Sequence, residues 1–363
     1  MTSGTSMDDK KGVERKEWEE WEEYPAEYLP EYPEYPEYLP ESPESPGYPA
    51  EYPEYLPEFP EIGAPRASPV LNAFSKDINA CLFHKWTTAS GSTTAVLNTD
   101  VKCASLGPSY HELCYGLSSL NPAQFGICYN KDTLTPSFTG HALDPVTGST
   151  SDRPTFKKDG GTYAPSKQAE VDDYLVNKQE VDFGFDLRSN HYCAKGHLVP
   201  NADYGSNAQR TAVTFILTNA AAPQWQKFNG GNWMLLEKDV RDYANSVKRK
   251  IYVFTGVGGV APYKMNGRVQ APQYYWKLIC DPVIKQMVVF VGKNSVGSWS
   301  TNKLLGCRNQ QHTEERGVMQ CDSLQNIKSN SAYSDFKLPD MHTTNCPSGV
   351  RGTFLDSYTN NFS

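Results

Sequence analysis

Residues 194–203 read Ala194-Lys195-Gly196-His197-Leu198-Val199-Pro200-Asn201-Ala202-Asp203, and residues 228–237 read Phe228-Asn229-Gly230-Gly231-Asn232-Trp233-Met234-Leu235-Leu236-Glu237. The first stretch alternates like a strand, so Lys195 and His197 share one side. The second opens a helix expected from about Gly231 to Lys250. It carries Trp233, Leu236, Val240, Tyr243 and Val247 at three- and four-residue steps. Its last turn is basic (Lys248, Arg249, Lys250), which suits the negative end of a helix dipole. Outward from this pair, Val213-Thr214-Phe215-Ile216-Leu217 reads as a buried strand. Ile251-Tyr252-Val253-Phe254 reads as another, ended by Gly256, Gly258 and Gly259. Residues 274–279 and 287–291 read as sheet neighbours joined by a proline-containing turn. Strands around one long central helix predict an α+β fold, not a doubly wound parallel sheet.

These stretches hold residue types that could serve chemistry. His197 can take up a proton near neutral pH. Gly196 beside it allows a backbone or ligand to approach closely. Asn229 offers a hard carbonyl oxygen at the helix start. Glu237 lies eight residues on, about two helical turns along a similar face. Lys195 supplies a cation. A base, a hard-oxygen ligand, an acid and a cation are the parts of a metal-assisted hydrolase. Each also has a plain structural reading: a satisfied core histidine, an asparagine helix cap, a solvated glutamate.

Charge divides the chain. The 363 residues sum to −8, which taken alone argues against a polyanionic partner. Residues 1–65 hold 18 acidic and 4 basic residues, or −14, and 12 of the 26 prolines. Residues 66–363 hold 30 basic and 24 acidic residues, or +6, and all nine cysteines. Three segments are expected: a disordered acidic tail over 1–65, a cysteine-containing N-terminal subdomain or extension over 66–130, and an enzymatic domain over 131–363. The tail repeats Glu-Tyr-Pro with a period of three through Glu31–Tyr38, matching the three residues per turn of polyproline II. Frequent proline and high charge keep it from forming a core. No apolar run approaches the roughly 18 residues of a membrane helix, so no membrane partner is expected. Met1–Glu23 has no apolar stretch of the kind a signal peptide needs. Cysteines 81, 103, 114, 128, 280, 307, 321 and 346 read as disulfide partners of open connectivity, with Cys193 the odd one. That density favours secretion. Buried reduced cysteines in a cytosolic protein are the alternative.

Four groups of residues carry a family resemblance. They are Lys195-Gly196-His197-Leu198 through Ala202-Asp203; Asn219 through Pro223-Gln224-Trp225-Gln226; Phe228-Asn229 through Asn232-Trp233; and Leu236-Glu237. Thr255-Gly256 and Pro272 through Tyr275-Trp276-Lys277 also fit. Together they resemble the DNA/RNA non-specific endonucleases of the ββα-metal fold, above all the animal branch with crustacean duplex-specific nucleases and insect double-strand RNases. The resemblance runs from roughly residue 80 or 130 to 300. It implies His197 as general base on the attacking water and Asn229 as the main protein ligand of Mg²⁺, with Mn²⁺ as a substitute. It further implies Glu237 orienting a metal-bound water, Arg153 and Lys195 on phosphate, and Asn219 at the metal's water shell. Nucleic acid, DNA or RNA, is the implied substrate. The family's first motif begins Asp-Arg where this chain has Ala194-Lys195. Alanine looks usual for the animal branch. Lysine keeps the charge but loses the bidentate fork, so lowered turnover or altered substrate preference is expected. His84, His111, His141, His191, His312 and His342 have no supporting constellation and read as structural.

Two further readings stand beside this one. In the first, the acidic arm is the functional part of a secreted structural or cation- or mineral-binding protein, and the enzymatic body is weak or inactive. In the second, the −14 arm folds over the basic cleft and competes with nucleic acid, an effect that salt would screen.

Overall fold

The structure is a computed structural model. It describes residues 69–77, 86–87, 93–94, 103–117, 124–148, 153–295, 316–338 and 346–358. The acidic arm, Cys81, Cys307, His84, His312 and His342 lie outside the described residues.

Among the described residues, eight strands form one antiparallel sheet. In chain order they are β1 (Pro69–Ser75), β2 (Tyr110–Leu117), β3 (Phe125–Asn130), β4 (Thr135–Leu143), then, after a long excursion, β7 (Ile251–Gly258), β8 (Tyr274–Asp281), β9 (Gln286–Lys293) and β10 (Met319–Asp322). The strands neighbour one another in that same order. The stretch 66–130 thus contributes three strands to this sheet. The excursion between β4 and β7 holds β5 (Cys193–Gly196), β6 (Ala222–Trp225), a helical turn at Gln226–Phe228 and four α-helices of four residues or more: α1 (Val176–Phe183), α2 (Ala208–Thr214), α3 (Leu217–Ala220) and α4 (Met234–Val247). β5 and β6 pair antiparallel as a separate ribbon that runs on toward α4, a ββα unit.

The sheet is buried on both faces, which is why its central strands read as nearly continuous apolar runs. Val253, Val257, Tyr275, Ile279, Val288 and Phe290 pack under α4 with Leu236, Val240 and Tyr243. The alternate residues Tyr252, Phe254, Trp276, Leu278, Val289 and Val291 point the other way. They form a second core with α5 (Leu324–Ser329), Tyr333 and Phe336. Disulfides Cys103–Cys128 and Cys280–Cys346 lie in that second layer. Cys114 and Cys321 are also disulfide-bonded. Cys193 is free and buried, the odd cysteine of the sequence, and burial pushes its thiol up to about 12.

Two readings need correction. Val213–Leu217 is not a strand. Val213 and Thr214 end α2, which Asn207 caps by accepting from the Arg210 N–H. Phe215 and Ile216 then make a turn held by Lys157, and Leu217 begins α3. Thr211, Val213, Thr214, Ile216 and Leu217 are all buried, and burial on every side erases the periodicity that separates strand from helix. Gly256 does not end β7 either, although the strand does stop at Gly258, before Gly259 at φ +71°. β7 continues to Gly258, because a side chain at Gly256 would strike the Trp276 ring and one at Gly258 the Phe336 ring. Each glycine makes room for an aromatic of the second core.

Candidate active site

The two-stranded ribbon is too short to hold itself, and other elements close its outer edges. Gln179 of α1 clamps β5, with Nε2 donating to the Cys193 carbonyl at 2.9 Å and Oε1 accepting the Cys193 N–H at 2.8 Å. Asn294 clamps β6. Its Oδ1 accepts the Trp225 N–H at 2.7 Å, and its Nδ2 donates to the carbonyls of Pro223 and Pro272. The hydroxyl of Tyr275 donates to the Ala222 carbonyl at 2.8 Å, pressed against Gly196. Only glycine fits there, so Gly196 seats the ribbon on the sheet.

His197 follows β5 directly. Its ring lies 5.3 Å from Phe156 and 4.8 Å, edge-on, from Phe215. Nε2 is buried and has no hydrogen-bond partner. Burial, then the nearby Arg153 charge, pushes its pKa down to about 3, so the imidazole is neutral and able to accept a proton. Lys195 does share its side: Nζ sits 5.1 Å from the centres of both the Phe156 and Tyr174 rings. Burial, and then Arg153, holds its pKa below the usual lysine value. Arg153 is exposed, with its guanidinium 5.8 Å over the Phe215 ring. Arg153, Lys195 and His197 therefore converge on one wall of Phe156, Phe215 and Tyr174. Phe156 and Tyr174 are the site residues the sequence reading gave no role. A cation cluster flanked by lone aromatics is the signal that would have found them.

The other half sits at the start of α4. Asn229 is half-buried, and no described residue engages its side-chain amide. It does not lie on a continuous helix with Glu237. Residues 229–233 form a wide turn, broken at Gly231 with φ −103° and ψ −124°. This overturns the expectation of two regular turns between Asn229 and Glu237. The break is fastened from outside. The Asn232 N–H donates to the Arg316 carbonyl at 2.8 Å, and Asn232 Nδ2 to the Gly317 carbonyl at 2.8 Å. Burial raises Glu237 to about 7, against the pull of Lys277 and Arg241. The ring of Tyr275 joins the two halves. It packs on Phe228 and Trp233 at the helix start while its hydroxyl touches the ribbon.

Asn219 is not beside any open space. It is fully buried. Its Oδ1 accepts the Val199 N–H at 3.0 Å, and its Nδ2 donates to the carbonyls of Val199 and Thr214. Its job is to fix the chain just after His197. His141, read as structural, is buried and bonded through Nε2 to Asp203 at 2.7 Å. Arg241 donates to the other Asp203 oxygen at 3.0 Å.

The donor set sorts the metals. Among the described residues no three of His, Cys, Asp and Glu gather as a metal site, which excludes a zinc-type cage there. The free amide oxygen of Asn229 and the carboxylate of Glu237 in the first turn of α4 are donors of the kind taken by a hard divalent cation that keeps most of its waters.

Three comparisons bear on this geometry. The model of the DNA/RNA non-specific endonuclease family matches residues 114–327. A salivary endonuclease of Lutzomyia longipalpis is 30% identical over 121 residues, 31% of this chain and 29% of that protein. One of Culex quinquefasciatus is 30% identical over 118 residues, 30% of this chain and 32% of that protein. The chain thus spans less than a third of the length of these curated relatives. A chain in the crystal structure of the EndoG/EndoGI complex superposes over 49% of this chain and 74% of its own, at 21% identity and a TM-score of 0.35.

Proposed function

Because the chain belongs to the DNA/RNA non-specific endonuclease family, we propose that it hydrolyses phosphodiester bonds inside DNA, RNA or both, without sequence preference, and that it does so with Mg²⁺ or Mn²⁺. The observation that carries the reading is His197 Nε2: a buried, unpartnered, neutral nitrogen near the Arg153 charge, on a ring that also carries Lys195. His111 also has an unpartnered Nε2, but only His197 lies beside Arg153 and shares the Phe156 ring with Lys195. This one is held ready for a proton donor that arrives with the substrate.

The steps follow from the residues. Arg153, exposed at the rim, receives a phosphate oxygen, and Lys195 takes a second charge contact from between its two rings. An anion on Arg153 offsets the charge that, after burial, helps depress His197. Bound substrate thus relieves the smaller of the two causes and raises the imidazole's basicity. His197 accepts a proton from the attacking water, and the phosphorus–3′-oxygen bond breaks on the far side. Asn229 would hold the cation through its amide oxygen, and Glu237 would orient one of its waters. When bound, the cation supplies charge neutralisation for the crowded phosphorus and an acidic water for the leaving oxygen. Lys195 contacts phosphate as a point charge, without arginine's fork. The +6 of residues 66–363 supports a sequence-independent, salt-dependent phosphate footprint.

The test is plasmid cleavage by the wild type and by His197→Ala, each with Mg²⁺ and with chelator. Cleavage by the wild type alone, and only with metal, is expected. A fully active His197→Ala protein would reject the assignment. Disulfides and salivary relatives support secretion.

A further inference from the structure

Three residues that the mechanism leaves idle meet at one point. Thr255, Lys277 and Trp233 lie in separate motifs on β7, β8 and the turn before α4. Lys277 is 1% exposed, a fully buried cation on a central strand. Its Nζ donates to Thr255 Oγ1 at 2.7 Å and sits 5.0 Å from the centre of the Trp233 ring. The carboxylate Oε1 of Glu237 lies 3.8 Å from the same nitrogen. A lysine is rarely left this deep in a sheet unless paired, because desolvating its charge is costly. Here the hydroxyl and the indole face fix where the ammonium sits, and the ammonium has one near carboxylate. That carboxylate reaches in from α4, the helix that follows Asn229.

We infer that Lys277, anchored by Thr255 and Trp233, is a positioning residue that fixes the Glu237 carboxylate, and with it the first turn of α4, against the sheet beneath the cation site. The inference rests on the role proposed for Glu237. It assigns Lys277 no contact with substrate. The groups that face Glu237 are Lys277 and Tyr275 from β8, Arg241 and Trp233 from its own helix and the turn before it, and Asp203 from the loop after His197. Lys277 and Arg241 favour its ionised form; Asp203 and burial oppose it. Arg241 is already drawn to Asp203, whereas Lys277 has, among the described residues, no other carboxylate within ion-pair distance.

The full-length chain with Lys277→Met is the test, read in two ways. With plasmid DNA and Mg²⁺, kcat is expected to fall by about 10–100-fold at neutral pH, the usual cost of losing an outer-shell partner. KM should stay within about twofold, and the rate should recover partly as pH rises. In metal-free protein, the Glu237 side-chain carbon signal is expected to titrate at higher pH than in the wild type. Lys277→Arg keeps the charge and should restore part of the rate. A Glu237 titration that does not move overturns the inference. So does a folded Lys277→Met protein with the wild-type rate profile. If Lys277→Met does not fold, Thr255→Val removes the anchoring hydroxyl at nearly equal volume. It should move both readouts the same way but less, and no movement in either overturns the inference. The titration needs neither metal nor substrate. If the wild type cleaves nothing, the proposed function fails, while the titration still decides what Lys277 does.

Discussion

Gly231→Ala is the sharpest probe of how the candidate site is held. A methyl group at residue 231 would lie 2.5 Å from the Arg316 carbonyl oxygen, 2.6 Å from its Cα and 2.9 Å from its carbonyl carbon. Ordinary contact begins near 3.4 Å, so two backbones must part by about 0.9 Å at the oxygen. Neither is a flexible side-chain tip that can swing away. Parting them stretches both hydrogen bonds that Asn232 makes to Arg316 and Gly317. Overpacking costs about 1–3 kcal/mol, and each buried polar group left unpaired adds about 1–3 kcal/mol. With the two bonds stretched rather than lost, a total of about 2–4 kcal/mol at roughly 2–4 °C per kcal/mol lowers the melting temperature by about 4–16 °C. Asn229 stands two residues before the methyl group and moves with it. A misplacement near 1 Å costs on the order of 100-fold in rate. Thermal melts and initial cleavage rates on plasmid DNA read the two effects. An alanine variant melting within about 2 °C of the wild type, with cleavage unchanged, would refute the idea that this backbone contact sets the position of Asn229.

Further outcomes follow from the same geometry. Asn219→Ala orphans two backbone carbonyls and one N–H in a fully buried place, so it should cost several kcal/mol, on the order of 1–3 per group; denaturant midpoints would show it. His197 has a folded pKa of about 3, below its ordinary 6.5. The stability it contributes is present above 6.5 and is lost as pH falls toward 3, in full a few kcal/mol; His197→Ala should flatten that acid limb. Glu237 runs the other way. Its folded pKa is raised from 4.5 to about 7, so its contribution is present below 4.5 and lost as pH rises through 7. Glu237→Gln should therefore flatten the stability profile between pH 4.5 and 7, whatever it costs to leave Lys277 without its carboxylate; thermal melts across that range would show it. Lys195→Arg supplies the fork that lysine lacks and should lower KM for nucleic acid at fixed salt, measured by initial rates.

The sequence was legible wherever one face of an element is exposed or one residue type has a single purpose. The α4 stripe of Leu236, Val240 and Tyr243 lies against the sheet as its spacing implied. The Lys195–His197 alternation survives as two contacts with one ring, Phe156. Legibility failed at two kinds of place. Around Val213–Leu217 burial is complete, so the pattern carries no phase. At Gly231 the helix breaks because of a neighbour 85 residues later, Arg316, which no local spacing encodes. Asn219 shows a third difficulty: a motif asparagine near a catalytic histidine can serve chemistry or backbone, and only its three hydrogen bonds tell which. Lys277 was visible as a motif residue, but its carboxylate partner stands 40 positions earlier.

The long excursion between β4 and β7 has a consequence for how the molecule assembles. Leu143 and Ile251 are paired neighbours in the sheet, so the whole ribbon and helix assembly hangs in one loop closed by two central strands. Closing so long a loop early is entropically unfavourable and slow. Neither mapped cross-link helps: Cys103–Cys128 and Cys280–Cys346 tie the flanks, and the one cysteine inside the excursion, Cys193, is unpaired. Oxidation can staple the platform without organising the excursion. Refolding should therefore proceed in two phases, with thiol loss complete while cleavage activity still lags behind.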